Sequence, residues 1–340
     1  MKKSTSFFIV GVLFGAFVAV AGLSFFLQAS KQGGGEKSQQ KMVLKLGHSL
    51  DTGHPVHKSM EFMRKRLEEI SDGQMSLEIY PSSVLGNETV CIKQLQNGSL
   101  AMTKTSAAAM ENFIPEMAVF GLPYIFRDDK HAWKVFNGPI GKELLQSGKN
   151  KFLKGLCYYD AGTRNFYTKS KPIRTPDDLK GLKIRVMKSQ TAMEMVSAMG
   201  GSPTPIAWGE LYSALAQGVV DGAENNPPSF TSNKHYEVCK HFTLDAHTRV
   251  PDILLISTKV WDKLSSRQQK WLQQAADESS LFERKLWKEK TIEALEKAKK
   301  EGVTIYKVDI SLFAKKVEPM LENVKNPKVK ALLKRIKEVK

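Results

Sequence analysis

From Met42 onward, strand-like and helix-like segments alternate, and that alternation restricts the fold more than any other feature of the chain. MVLKLGHS reads as a strand and PVHKSMEFMRKRLEEISDG as a helix. The apolar positions Val56, Met60, Met63, Leu67 and Ile70 recur at helical spacing, and Gly73 supplies the stop. MSLEIYP, NETVCIKQLQNG and SLAMTKTSA continue the pattern as strand, helix and strand. A βαβαβ order of this kind predicts an α/β protein with a parallel sheet covered by helices. KFLKGLCYYDAGTRNFYTKS reads as one long strand, KIRV as a short one, and QTAMEMVSAMGG and WGELYSALAQG as helices. TPDDL carries a capping box, Thr175 with Asp178, and Pro176 at the first helical turn. The pattern from Ser265 to Lys300 predicts a helix of about 36 residues, longer than most in globular proteins. NPKVKALLKRIKEVK reads as a basic, amphipathic, peripheral tail.

The N-terminus speaks to compartment. Lys2 and Lys3 precede an apolar run from Phe7 to Leu27 whose one polar member is Ser24. As a helix that run would span about 31 Å, the hydrocarbon thickness of a bilayer. Residues 1–30 are expected to be an export signal, either a cleaved signal peptide or a signal anchor with the lysines inside; the poor cleavage site Leu27-Gln28-Ala29-Ser30 favours the anchor. The Gly-rich stretch 31–41 is expected to be a flexible tether. The rest should then lie in the periplasm or another extracytoplasmic space. The net charge of +16 comes mostly from lysines whose acidic partners sit three or four residues away on helices, as in RKRLEE and ERKLWKEK. Solvated helix faces look like this, and a nucleic-acid partner is not expected. Cys91, Cys157 and Cys239 are too few and too scattered for a disulfide framework, and buried free thiols are expected.

Four residues in the middle of the chain suggest what the fold holds. Arg164 lies in AGTRNFY, Arg185 in KGLKIRV, Trp208 in PIAWGELYSAL and Asn225 in GVVDGAENNPP. Two guanidiniums and an amide can donate to a small carboxylate, while an indole walls its apolar body. Arg185 falls at a strand end leading into a helix, where open α/β sheets bind ligands. His48, His54 and His57 cluster in GHSLDTGHPVHK, but their spacing matches no zinc pattern, and no metal or other cofactor is expected. His48 and His54 should be mixed in charge at neutral pH. Neither G-x-S-x-G nor H-E-x-x-H occurs, which points to binding without chemistry rather than to an enzyme.

Over residues 42–310 the chain resembles the extracytoplasmic substrate-binding proteins of tripartite ATP-independent periplasmic (TRAP) transporters. The resemblance is carried by YPSSVLGNETVCIKQLQNGSLAMT, PEMAVFGLPYIFRD, GPIGKEL, TPDDLKGLKIRVMKSQ, GELYSALAQGVVDGAENNP and HYEVCKHFTL. It implies a two-lobed periplasmic binding protein fold with a hinge, a strand shared between lobes and a long bracing helix. Lobe I would be 42–163 with a return segment at about 249–310, lobe II 164–248, and the tail 311–340. The resemblance makes Arg185 the carboxylate anchor and Arg164 a second arginine, although the family's usual NGFRN here reads AGTRN. Asn225 keeps the family spacing of forty residues after Arg185. Trp208 stands where the family commonly has an aromatic, and Glu88 aligns with an acidic residue that accepts substrate hydroxyls. Ser106, Asn226, His48 and His54 are further candidate ligand contacts, and Lys104 and Lys188 are candidates to point inward.

Several hydroxyl partners favour a sugar acid such as glucuronate or galacturonate over a C4-dicarboxylate or keto acid, which would leave polar groups unpaired at about 1–3 kcal/mol each. The implied partner is a TRAP membrane permease, with the protein acting as a monomer. A ligand-binding sensory module is the other class in play, and the two lysines ahead of the apolar run leave no output domain there.

Overall fold

The computed structural model describes residues 41–340; the apolar run at 7–27 and nearly all of the tether lie outside the described residues. Among the described residues eleven strands form two sheets. In chain order they are Met42–Gly47 (β1), Met75–Tyr80 (β2), Met102–Ser106 (β3), Leu153–Tyr159 (β4), Asn165–Thr168 (β5) and Lys183–Val186 (β6). Then follow Ser202–Pro205 (β7), Gly222–Asn225 (β8), His241–Leu244 (β9), Asp252–Ser257 (β10) and Thr304–Lys307 (β11).

The first sheet runs β2-β1-β3-β10-β4, with β10 antiparallel to both neighbours and β1 parallel to β2 and β3. Alternation along β10 divides its core: Ile253 and Leu255 pack on one face, Leu254 and Ile256 on the other. The helix Pro55–Ile70 lays Met60, Met63 and Leu67 on the second of these faces, as its periodicity predicts. It ends at Ile70, where Ser71 caps it and Asp72 and Gly73 turn at φ +51° and +73°. The second sheet runs β11-β9-β5-β8-β6-β7, with β6 parallel to β7 and β8. Phe166 and Tyr167 on β5 face opposite layers of it.

Cys91, Cys157 and Cys239 are free and buried, as their scatter suggested. The capping box at Thr175 and Asp178 is present and opens a short 3-10 turn, Pro176–Leu179. The long helix spans Ser266–Lys300, 35 residues. Its Leu272, Ala275 and Ala276 pack in the first lobe, while Ala298 packs in the second.

Four local expectations need correction. The run 151–170 is not one strand: it breaks at residues 160–164, where the chain passes from β4 to β5, because Gly162 turns at φ +54° beneath Trp287. The return segment does not stay with the first sheet, since β11 pairs with β9 in the second. WGELYSALAQG is a 3-10 turn, Trp208–Glu210, followed by the short helix Leu211–Ala216. The C-terminal tail is not peripheral. Phe313 and Val317 of the helix Ile310–Glu322 are buried in the second lobe, and Val329, Leu332, Leu333 and Ile336 of Pro327–Glu338 are buried in the first. A fully buried Leu or Ile contributes about 1.5–3 kcal/mol, so this helix is part of the core.

Candidate functional site

Strand ends place the site. Ser106 closes β3, Arg185 lies near the end of β6, Asn225 closes β8, and Arg164 immediately precedes β5. The carboxyl ends of parallel strands from both sheets thus converge, the position at which open α/β sheets hold ligands. Between them is a cleft with about 500 Å³ of empty space. Glu88, Lys104, Ser106 and Asp252 line it from the first lobe, and Arg164, Arg185, Trp208, Asn225 and Asn226 from the second. His54 and Trp287 complete the wall.

Arg185 is 2 % exposed, yet no carboxylate lies in ion-pair range among the described residues. Its Nε donates to the Ile206 carbonyl at 2.9 Å, and its Nη1 is buried with no hydrogen-bond partner. The ring of Trp208 lies 5.8 Å from the guanidinium carbon, and the Trp208 indole N–H is also buried and unpartnered. Burial disfavours the charged form of Arg185 and lowers its pKa. An isolated buried cation is costly unless something anionic joins it.

Arg164 differs. Its Nε and Nη2 grip the Glu224 carboxylate, Nη2 also reaches the Glu224 carbonyl at 2.8 Å, and Nη1 donates to Asn225 Oδ1 at 2.9 Å. Four of its five N–H groups are used, leaving one on Nη1. Glu224 also meets His247 Nε2 at 3.3 Å, and His247 Nδ1 lies 2.6 Å from Asp245. Burial would raise the Glu224 pKa, but Arg164 and His247 hold it at about 2. Burial would lower that of His247, but Asp245 and Glu224 raise it to about 9. Asn225 Oδ1 accepts from Arg164 and from the Asn226 N–H, while Asn226 Oδ1 caps the helix Pro227–Ser232. Both amide NH₂ groups are left without a protein acceptor among the described residues.

On the first lobe, Lys104 Nζ is 2.9 Å from Asp252 and 3.7 Å from Glu88. Burial opposes its charge, but the two carboxylates raise its pKa. Glu88 sits at the first turn of the helix Glu88–Asn97 and accepts the Ser106 N–H at 2.9 Å. Ser106 Oγ accepts from Ala108 N, which leaves its hydroxyl proton free.

The histidines depart from expectation. His54 caps the helix Pro55–Ile70 through Nδ1, so its proton is on Nε2, which faces Ser229 Oγ at 3.1 Å. His48 is buried behind the cleft and does not line it: Nδ1 accepts from Leu50 N, and Nε2 meets His57 Nδ1 at 3.0 Å. Neither is mixed in charge. Burial, reinforced by Lys104, drives His48 to about 2 and His54 well below its ordinary value. Lys188 is exposed at the mouth rather than inside. Among the described residues no cluster of side chains could hold a metal ion.

Sequence reasoning missed Trp287, Asp252, Ser229 and the Glu224 pairing. Trp287 was hidden within the long-helix pattern. Glu224 stood in view in DGAENNP, but its partner lies sixty residues away in the chain.

Residues 46–327 match the profile of the bacterial extracellular solute-binding proteins, family 7. The Salmonella typhimurium protein YiiZ is 36% identical over 307 residues, 89% of this chain and 93% of its own length. A TRAP periplasmic solute-binding protein from Xanthobacter autotrophicus Py2, solved with bound β-D-galacturonate, superposes with a TM-score of 0.84 at 35% identity, over 87% of this chain and 100% of its own. Another from Anaerococcus prevotii, solved with bound D-glucuronate, gives 0.85 at 33% identity, over 88% and 98%.

Proposed function

Because the chain belongs to family 7 of the bacterial extracellular solute-binding proteins, the substrate-capturing components of TRAP transporters rather than enzymes, we propose that its own ligand is a hexuronate or related sugar acid. The observation that carries the reading is Arg185, a buried guanidinium with an unpartnered Nη1 in a polar cleft. The ligand carboxylate joins Arg185, the remaining Nη1–H of Arg164 and the Asn225 amide, with Trp208 as the wall. Glu88, Ser106 and Asn226 meet the hydroxyls, and His54 orients Ser229 beside them. His48 acts behind them, through His57. The galacturonate and glucuronate bound by the two similar proteins of known structure support the choice of ligand class.

Both lobes supply contacts, so capture requires closure about residues 160–164 and 245–251, with the ligand stabilising the closed form. The protein works as a monomer, and residues 1–30 hold it at the membrane while 31–41 keep it near its permease. Among the described residues no helix is long and apolar enough to cross a membrane. N-terminal sequencing of the mature protein and cell fractionation test the tether: a soluble protein beginning between Ser30 and Lys41 defeats it.

The ligand class is tested by calorimetry on the soluble domain from Met42, against hexuronates, aldonates, C4-dicarboxylates and keto acids. Tight binding confined to dicarboxylates or keto acids overturns the assignment.

A further inference from the structure

We propose that Lys104, Asp252 and Glu88 form a charge filter that admits acids with one carboxylate and rejects those carrying a second at the far end of the chain. The inference rests on the sugar-acid reading above and specifies which sugar acids pass.

The two walls of the cleft are electrostatically unlike. On the second lobe Arg185 has no carboxylate in ion-pair range among the described residues, and Trp208 adds an unpartnered donor. On the first lobe one cation, Lys104, is shared between two carboxylates at 2.9 and 3.7 Å, so the group carries a net negative charge. The Lys104 ammonium is 3 % exposed and already committed to those carboxylates. It is poorly placed to receive a third.

The acceptors on this wall point the same way. The hydrogen bonds made within the protein use Glu88 Oε1 and Asp252 Oδ2. Glu88 Oε2 and Asp252 Oδ1 have no protein donor among the described residues, although both residues line the cleft. Carboxylate oxygens can only accept. A hydroxyl donates to them and gains a charge-assisted bond, whereas a second ligand carboxylate has no proton to give and meets like charge. His54 cannot relieve it, because its Nδ1 accepts from Val56 N and only Nε2 carries a proton, toward Ser229.

The test uses two open-chain acids that differ only at C6, D-galactonate with CH₂OH and galactarate with a second carboxylate, titrated calorimetrically alongside galacturonate and glucuronate. Wild-type protein is expected to bind galactonate about 100-fold more tightly than galactarate, since like-charge juxtaposition is strongly penalised. Asp252→Asn, which makes the wall neutral, should narrow that gap about tenfold or more. Glu88→Gln, at a less buried position, should do the same if Asp252→Asn melts early. Galactarate bound as tightly as galactonate by the wild type overturns the filter and leaves the sugar-acid reading intact. Failure of all four acids overturns the reading beneath it.

Discussion

Glu111 Oε1 accepts the backbone N–H of Thr191 at 3.2 Å, joining a residue that follows β3 in the first lobe to the first turn of the helix Gln190–Ala198 in the second. Nearby, Asn112 Nδ2 donates to the Lys188 carbonyl at 2.6 Å. These bonds join the two lobes, so parting the lobes would break them. Glu111→Ala is therefore expected to lower the closed population and weaken ligand affinity about 2- to 10-fold, the worth of one net hydrogen bond, without touching the ligand. Calorimetry gives the affinity, and small-angle scattering gives the compaction. Unchanged affinity would show that the latch does not contribute to closure.

Arg185 sets function against stability. Its guanidinium is buried without an anion, so Arg185→Met, which keeps the volume and removes the charge, should raise the melting temperature of the ligand-free protein. The same change should weaken sugar-acid binding by about 2–5 kcal/mol, some 30- to 5000-fold. Arg185→Lys should also bind poorly, because an ammonium lacks the fork. A methionine variant that still binds near the wild-type level sinks the anchor assignment.

His247 gives stability a pH dependence. Its pKa in the folded protein is about 9, above its ordinary 6.5, so its contribution is fully present below pH 6.5 and is lost as pH rises through 9. Melting temperature should fall over that window. In His247→Gln the fall should be much smaller, with lower stability at pH 6. Parallel melting curves for the two proteins between pH 6 and 9 would contradict this.

Gly162 turns at φ +54°, and a Cβ there would lie 2.8 Å from Trp287 Nε1. Gly162→Ala should cost about 1–2 kcal/mol for the left-handed backbone alone. It should also push the indole into the cleft and lower ligand affinity. Tryptophan fluorescence and calorimetry separate the effects: a variant that is less stable but binds normally would mean that Trp287 does not shape the site.

The sequence made the regular elements legible because their signals are local. The spacing of Val56, Met60 and Met63 describes one helix face, and the βαβαβ order describes a sheet. Arg185, Asn225 and Trp208 were legible because they lie in short segments at strand ends, and those segments do meet at the cleft. What escaped was long-range. Whether β11 pairs in one sheet or the other depends on His241–Leu244, not on its own pattern. The helix Pro327–Glu338 looks amphipathic and basic whether it floats or docks; only the first lobe's exposed apolar groove decides. Nothing near Arg164 in the chain announces that Glu224 occupies most of its donors, and nothing in GHSLDTGHPVHK announces that His48 turns to His57 instead of the cleft.

The backbone bond from Arg164 N to the Thr248 carbonyl, 2.8 Å, lashes two of the segments that cross between the lobes, 160–164 and 245–251, side by side. Two loose connections would act as separate ball joints and let the lobes slide and twist. Lashed together, and braced by the long helix Ser266–Lys300 that packs in both lobes, they favour a single hinge line. On the binding mode proposed above, Arg185, Asn225 and Trp208 would then leave the sugar acid in a single sweep rather than one after another. Unloading would then be an all-or-none event, with the second-lobe contacts released together when the lobes are parted.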